Sequence, residues 1–402
     1  MFMRTTFFSY SFGCRVNEAE KVVLDKKLME LGLVFNSKNP DFYIINSCAV
    51  TGKAEREVRQ HIYQTRKKFP KTIIVVTGCA ATNWKKNKSS VSGVDHLIEN
   101  KNKFSLPDLL LQLSSRTLSV NEGCGDLYNK DCFAYARNDK FLTSGRLMVK
   151  IQDGCDRFCS YCIVPLLRGK PRSVLAQEII KEIKQYDDQV VEVILTAINT
   201  ECFGKDTGET LIQLIDAILE KTTIPKISFG SIHPWSITDE FLQYYKSILP
   251  TNRFIHFFHI PIQSGSNRIL QLMNRGYTKE EMLEKLQKIK KINPNAFIGT
   301  DIIVGFPGET DKEFQETYNF LQKAPIDKIH VFRFSLRPGT AAEKLIKIYG
   351  EPTPQEKRER AKLILELNKE KSKKVTKSHL SNNALIVVKT AQNMINKLDN
   401  RF

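Results

Sequence analysis

Cysteine is the residue type in this chain whose spacing most directly suggests chemistry. Cys155, Cys159 and Cys162 stand in a C-x3-C-x2-C triplet, while Cys14, Cys48 and Cys79 each follow a short apolar run and lie 34 and 31 residues apart. Thiolates bind soft metals, and zinc sites normally close a tetrahedron with a second cysteine pair or a histidine. No histidine stands near the 155–162 triplet, and Cys202 is the only later cysteine. A three-cysteine zinc site stays open as the alternative. Three thiolates this close can instead hold three irons of a 4Fe–4S cube and leave the fourth iron free. A free iron can take an amine and a carboxylate, the groups that S-adenosylmethionine offers. An electron passed to its sulfonium can then release a 5′-deoxyadenosyl radical.

The elements around the earlier cysteines explain why they belong together. Residues 5–12 read as a strand ending in Gly13-Cys14. A helix follows, opening at Asn17-Glu18-Ala19-Glu20 in the manner of a capping box, with Leu24, Leu28 and Leu31 on one face and a stop at Gly32. Residues 41–46 form a second strand ending in Ser47-Cys48, with a helix over 53–68; residues 72–76 form a third ending in Gly78-Cys79. Strands alternating with helices make a parallel sheet, whose strand C-termini open onto one ligand-binding edge. Cys14, Cys48 and Cys79 are therefore expected at one edge. Three ligands there again leave a fourth position open; three separately buried cysteines are the alternative.

A second alternating pattern starts at Arg146. Strands are expected at 147–151, 190–196, 226–231, 254–260, 298–304 and 329–334, with helices at 175–186, 211–219, 238–248, 279–292 and 312–321. Two helices show clear apolar faces, through Met282, Leu286 and Ile289 and through Phe314, Tyr318 and Leu321. The pattern predicts an α/β chain whose second part is a partial (βα)6 TIM-like barrel, with the cysteine triplet just beyond its first strand, at the face where barrels carry their sites. The expected domains are 1–115, a connector at 116–145 with incidental Cys124 and Cys132, the barrel at 146–370, and a β remnant at 371–402. Residues 357–377 hold nine basic and three acidic side chains, the composition of a solvated helix face or a polyanion-binding one.

Composition sets the outer limits. A chain of 402 residues calls for two or three domains. With 41% hydrophobic and 26% charged residues it is neither disordered nor collagen-like. No apolar run approaches the roughly 18 residues of a membrane span, and 1–10 lacks a signal-peptide core; a cytoplasmic protein is expected. There, nine cysteines serve ligation rather than disulfides. The net charge of +17 favours a polyanionic partner such as nucleic acid, with a merely basic enzyme as the alternative.

Longer blocks now add to these spacings. Gln152-Asp-Gly-Cys-Asp-Arg-Phe-Cys-Ser-Tyr-Cys-Ile-Val-Pro165, continuing through Arg168-Gly169 and Arg172-Ser173, resembles the radical-SAM signature of the methylthiotransferases. Gly13-Cys14-Arg-Val-Asn17, Asn46-Ser-Cys48-Ala-Val-Thr51 and Thr77-Gly-Cys79-Ala are similar to that family's N-terminal cluster domain. His259-Ile-Pro-Ile-Gln-Ser-Gly-Ser266, Met273-Asn-Arg275, Thr300-Asp-Ile-Ile-Val-Gly-Phe-Pro-Gly-Glu-Thr310 and Arg337-Pro-Gly-Thr340 match further blocks. The resemblance spans about 5–370.

The resemblance implies two 4Fe–4S clusters, an auxiliary one on Cys14, Cys48 and Cys79 that carries or delivers sulfur, and a radical-SAM one on Cys155, Cys159 and Cys162. It implies two uses of S-adenosylmethionine, as methyl donor and as radical source, a reduced electron donor such as flavodoxin, a sulfur donor, and no membrane. Tyr161 is expected along the adenine, and Asn199, Gln263 and Ser264 near the ribose or carboxylate. Arg168 and Arg172 are candidates for a phosphate or the cofactor's anionic group, and His233 and His259 are expected to be packed and hydrogen-bonded. Gln-Asp-Gly-Cys, Cys-Ala-Val-Thr, Leu195-Thr-Ala-Ile-Asn199 and Arg-Pro-Gly-Thr look most like the branch acting on N(6)-threonylcarbamoyladenosine beside the tRNA anticodon. The alternatives are the same reaction on N(6)-isopentenyladenosine, or a non-catalytic iron–sulfur RNA-binding protein. Two departures stand out: Ala197 replaces the family's usual Gly, and 371–402 is short for the family's terminal RNA-binding β-barrel.

Overall fold

Strand and helix alternate along the chain as the apolar runs require. The structure is a computed structural model and describes residues 5–117, 145–186 and 189–380. Cys124, Cys132 and the strand expected at 384–388 lie outside them. The described residues divide into two units, one carrying the chain up to Lys150 together with Tyr186–Val193, the other running from Ile151 to Gln185 and on from Ile194.

The first unit contains β1 (Thr6–Ser11), α1 (Arg15–Glu30), β2 (Val34–Phe35), β3 (Phe42–Ser47), α2 (Gly52–Lys68), β4 (Ile73–Gly78), α3 (Cys79–Lys86), β5 (His96–Leu97) and α4 (Leu106–Thr117). Its sheet runs β2-β1-β3-β4-β5 and is parallel throughout. Every residue of β3 is buried, because a central parallel strand is covered on both faces. Phe7, Leu24, Leu28, Phe42, Ile44, Val75, Leu106 and Leu110 form the core on one of those faces. Burying each large apolar side chain contributes about 2 kcal/mol. The helix after β1 starts earlier than expected. Cys14, in an extended conformation, is the N-cap, so Asn17 and Glu20 lie inside α1 instead of capping it. Asn17 reaches sideways, donating to the Phe12 and Ser47 carbonyls, and buried Glu20 pairs with buried Lys103. Gly32 ends the helix as expected, at φ +85°.

The second pattern gives β6 (Arg146–Asp153), α5 (Val164–Arg168), β7 (Arg172–Ser173), α6 (Ala176–Lys184), β8 (Glu192–Ala197), α7 (Leu211–Lys221), β9 (Lys226–Phe229), α8 (Asp239–Ile248), β10 (Phe257–His259), α9 (Asn267–Leu272), α10 (Lys279–Ile292), β11 (Phe297–Val304), α11 (Asp311–Lys323), β12 (Lys328–Arg333), α12 (Ala342–Tyr349) and α13 (Pro354–Leu380). Six strands, β6 and β8 to β12, follow the expected partial barrel in sheets ordered β7-β6-β8-β9 and β10-β11-β12. A parallel bridge joins Ile227 of β9 to Phe254, ahead of β10, and the Ile232 amide donates to the His259 carbonyl. The strand expected at 254–260 shortens to β10, because the Phe257 amide turns back to the Ile255 carbonyl after that bridge. Capping boxes at Thr210, Thr278 and Thr310 start α7, α10 and α11.

The basic run falls within α13, which is only partly a solvated face. Ile364 and Leu367 are buried, Asn368 accepts the Ile329 amide of β12 at 2.8 Å, and Arg360 pairs with buried Glu309 at 2.7 Å. This helix covers the barrel's last strand.

Candidate functional site

Strand register brings the first three cysteines to one edge. Ser11 of β1 pairs with Asn46 of β3, and Ser47 of β3 with Gly78 of β4, so the chain leaves all three strands at one level. Cys14 caps α1, Cys48 follows β3, and Cys79 begins α3. Two glycines make the approach close enough. Gly13 has φ +84°, and a β-carbon there lies 2.5 Å from the Cys48 Sγ; Gly78 has φ +93°, and a β-carbon there lies 2.5 Å from the Ser47 carbonyl oxygen. A side chain at either position has no room. Asn46 Nδ2 donates to the Asn17 carbonyl at 2.7 Å, and the Ser47 hydroxyl accepts the Ala81 amide at 3.1 Å while donating to the Thr77 carbonyl. These bonds tie the three loops together.

The same edge receives the N-termini of α1 and α3, and that of α2 four residues beyond Cys48. Helix N-termini favour negative charge. Cys48 and Cys79 are buried and Cys14 is exposed. Soft donors, helix ends and one open side suit an anionic thiolate-held cluster. No fourth cysteine occurs among the described residues of this unit.

The second triplet lies on the loop after β6. Gly154, at φ +75°, starts it where a β-carbon meets the Lys170 carbonyl at 2.1 Å, and the Cys155 amide donates to Gly169. Phe158 is held at φ +45° with its ring exposed. Asn274 Nδ2 secures that strained turn, donating to the Arg157 carbonyl at 3.3 Å and the Phe158 carbonyl at 3.2 Å. The Ser160 amide donates to Met273, its hydroxyl to Leu272, and its carbonyl accepts the Ala342 amide. The end of α9 and the start of α12 thus clamp the loop.

Arg275 is a site residue whose role no local spacing in the sequence reveals. Its buried guanidinium donates to the Cys159 Sγ at 3.3 Å, the Pro261 carbonyl at 2.9 Å and the Tyr277 hydroxyl at 2.8 Å. Arg157 and Arg275 both lie over the Trp235 ring, at 4.3 and 4.5 Å from its centroid. Arg157 also forks onto Glu201, through Nε at 3.1 Å and Nη2 at 2.9 Å. Only the fold gathers these residues.

Cys202, passed over in the sequence, lies beside Cys155. Asn199 Nδ2 is 3.2 Å from the Cys202 Sγ and 3.7 Å from the Cys155 Sγ. A hydrogen bond from Cys202 lowers the Cys155 thiol to about 6 against the cost of burial. Donating that proton raises Cys202 well above the usual thiol range. The Cys202 thiol also donates to the Asp156 Oδ1 at 3.4 Å. Burial pushes Cys162 up to about 12; a bound cation reverses that preference.

Tyr161 lies beside the triplet, its hydroxyl 3.4 Å from Arg275. Asn199 sits past β8 with its amide on the buried Gln152 side chain. Gln263, at φ +78°, donates its backbone amide to Asp301 and accepts from Ile303. Ser264, expected near the ribose or carboxylate, lies on the turn before α9. It is wholly buried, and its hydroxyl is 3.2 Å from that of Thr317 in α11, so it packs the turn against a helix. Arg168 is buried and paired with Asp153 at 2.8 Å, whereas Arg172 is exposed. His233 and His259 are hydrogen-bonded as expected, to Thr200 and to Ser231 and Asp301. Burial lowers His233 to about 3 and keeps it neutral.

Comparison with known proteins adds independent findings. Residues 149–321 match the model of the radical SAM superfamily, and residues 6–99 that of the uncharacterized protein family UPF0004. The threonylcarbamoyladenosine tRNA methylthiotransferase MtaB of Aquifex aeolicus is 35% identical over 364 residues, covering 90% of this chain and 87% of that protein. Its Bacillus subtilis namesake is 33% identical, covering 85% and 76%. The tRNA-2-methylthio-N(6)-dimethylallyladenosine synthase of Aquifex aeolicus is 32% identical, covering 94% and 86%. Among solved structures, the radical S-adenosylmethionine methyltransferase TsrM of Kitasatospora setae superposes with a TM-score of 0.56 at 11% identity, covering 85% of this chain and 74% of that one. That likeness concerns the fold.

Proposed function

The chain belongs to the radical-SAM tRNA methylthiotransferases, and on that footing we propose that it places a methylthio group on carbon 2 of N(6)-threonylcarbamoyladenosine next to the tRNA anticodon. The observation that carries the reading is the pair of cysteine triplets, each at strand C-termini, in a chain similar to MtaB proteins over most of its length. The relative named for dimethylallyladenosine supports the same reaction on an isopentenylated base as the second reading.

In this reading Cys155, Cys159 and Cys162 hold one 4Fe–4S cluster, and Cys14, Cys48 and Cys79 hold a second at the auxiliary site. With S-adenosylmethionine bound, the first cluster supplies the one-electron chemistry that an unactivated C–H bond requires. The chain's own residues position and tune. Arg275 neutralises charge at the Cys159 sulfur, Cys202 and Asn199 hold Cys155, and Tyr161, Asn199 and Gln263 line the place of S-adenosylmethionine. The helix N-termini around Cys14, Cys48 and Cys79 favour the charge of a sulfur-carrying cluster. We assign 1–115 to the cluster domain and 146–370 to the barrel.

The +17 charge and the exposed basic side chains of α13 suit tRNA. An electron donor such as flavodoxin, a sulfur donor and a cytoplasmic location complete the proposal. No helix among the described residues is long and apolar enough to cross a membrane. The test is nucleoside mass spectrometry of tRNA from cells lacking their own methylthiotransferases, with and without this gene. Methylthiolated threonylcarbamoyladenosine is expected. The methylthio group on isopentenyladenosine alone overturns the branch, and on neither base it overturns the tRNA reaction. Replacing Cys14, Cys48 and Cys79 together by Ala is expected to leave one cluster that still cleaves S-adenosylmethionine; retention of all iron refutes the auxiliary site.

A further inference from the structure

Three neighbouring strands place a second polar group in the barrel, apart from the cysteines. Asp301 of β11 stands directly opposite His330 of β12 in register. His259 of β10 pairs with Gly299, two residues earlier on the same face. His259 Nε2 is 2.9 Å and His330 Nδ1 3.3 Å from the Asp301 Oδ1, and the Ser231 hydroxyl is 2.7 Å from the His259 Nδ1. The intervening β11 residues Ile302 and Val304 are fully buried on the opposite face, while Asp301 is 22%, His330 17% and His259 13% exposed in their side chains. This half-open face also carries Ile303, about 7 Å further along the strand, which packs against the same apolar cluster as Tyr161. The group therefore lies one layer below the cysteine loop.

Its hydrogen-bond inventory leaves one atom over. Burial opposes ionisation of Asp301, but the two imidazoles outweigh it and hold the carboxyl well below the usual range. An ionised carboxylate only accepts, so His259 donates through Nε2 and His330 through Nδ1. The His330 Nε2 is then buried with no hydrogen-bond partner among the described residues. Buried polar atoms are rarely left so.

We infer that Ser231, His259, Asp301 and His330 form a reading surface for the substituent on the target adenosine, with the His330 Nε2 as the atom that bonds it. This rests on the tRNA substrate proposed above. A threonylcarbamoyl group offers urea N–H donors, a hydroxyl and a carboxylate, so it satisfies Nε2 whether that atom accepts or donates. An isopentenyl chain offers neither and leaves the atom unpaired. A site built for a hydrogen bond rejects a ligand lacking it far more strongly than an apolar pocket rejects an added polar group.

The test compares kcat/KM for anticodon stem-loops bearing each modified adenosine, using the reconstituted protein. His330→Asn keeps a donor toward Asp301 but lacks Nε2, His330→Gln reaches the Nε2 position, and His330→Phe removes both. On threonylcarbamoyladenosine, His330→Asn and His330→Phe are expected to lose on the order of tenfold to a hundredfold. His330→Gln is expected to recover part, isopentenyladenosine to change little, and tRNA-free cleavage of S-adenosylmethionine to stay constant. Equal loss on both stem-loops, or none on either, overturns the inference. So does one equivalent of zinc in the wild-type protein that is lost with His330, since the two imidazoles and the carboxylate place ligand atoms within 4.8 Å of one another. Wild-type preference for isopentenyladenosine refutes the branch assignment instead, and is read before any variant is made.

Discussion

Replacing Gly13 by Ala tests the auxiliary site with an internal control. Gly13 and Gly32 share nearly the same backbone, φ +84° and +85°, but a β-carbon at Gly13 meets the Cys48 Sγ at 2.5 Å and the Cys48 Cβ at 2.6 Å, while one at Gly32 meets nothing within 4 Å. The left-handed conformation costs Ala about 1 kcal/mol at either site. At Gly13, Cys48 must also retreat by about 1 Å to restore ordinary contact, and such overpacking costs a further 1–3 kcal/mol or so. With roughly 3 °C of Tm per kcal/mol for a unit of this size, Gly32→Ala is expected to lower Tm by about 3 °C and Gly13→Ala by about 6–12 °C. The retreat also exceeds the roughly 0.2 Å that metal–ligand distances tolerate. After anaerobic reconstitution, Gly32→Ala should keep about eight irons per chain and Gly13→Ala about four, with the radical-SAM cluster's spectrum intact. Full iron in Gly13→Ala, together with a Tm equal to that of Gly32→Ala, refutes the account of how Cys48 is brought in.

Two further outcomes follow from buried charges. Arg275→Met removes a cation 3.3 Å from the Cys159 sulfur, so the reduction potential of the cluster on that triplet should fall; a redox titration followed by electron paramagnetic resonance checks this, and an unchanged potential contradicts it. Arg360→Met leaves Glu309 buried without its 2.7 Å partner, a loss of about 3 kcal/mol at pH 7 by urea denaturation. Burial already raises Glu309 above the usual carboxylate range. Arg360 lowers that carboxyl, so its loss raises it further and the folded variant binds the proton more tightly than the folded wild type; the variant's deficit should therefore shrink as pH falls from the variant's folded pKa toward the wild type's, and a deficit that grows on acidification argues against Glu309 as the cause.

Local sequence was enough for the two triplets, the alternation of strand and helix, and the three cysteines at one edge, because parallel topology alone fixes where strand ends lie. It misjudged the start of α1, since Cys14 in an extended conformation took the cap and freed Asn17 to bridge two strands. Ser264 follows a strand, and its hydroxyl faces Thr317, more than fifty residues away in the chain, a contact no local pattern shows. Cys202 and Arg275 were out of reach for the same reason. Their partners, Cys155 and Cys159, are 47 and 116 residues distant, and no local pattern encodes such a meeting.

What the sequence by itself determined is the chemistry available, through the spacing of thiols on short loops and the glycines that precede them. What only the tertiary structure decided is which side chains tune that chemistry. Charge, burial and an unpaired imidazole nitrogen are properties of neighbours, and neighbours in a barrel are set by strand register rather than by chain order.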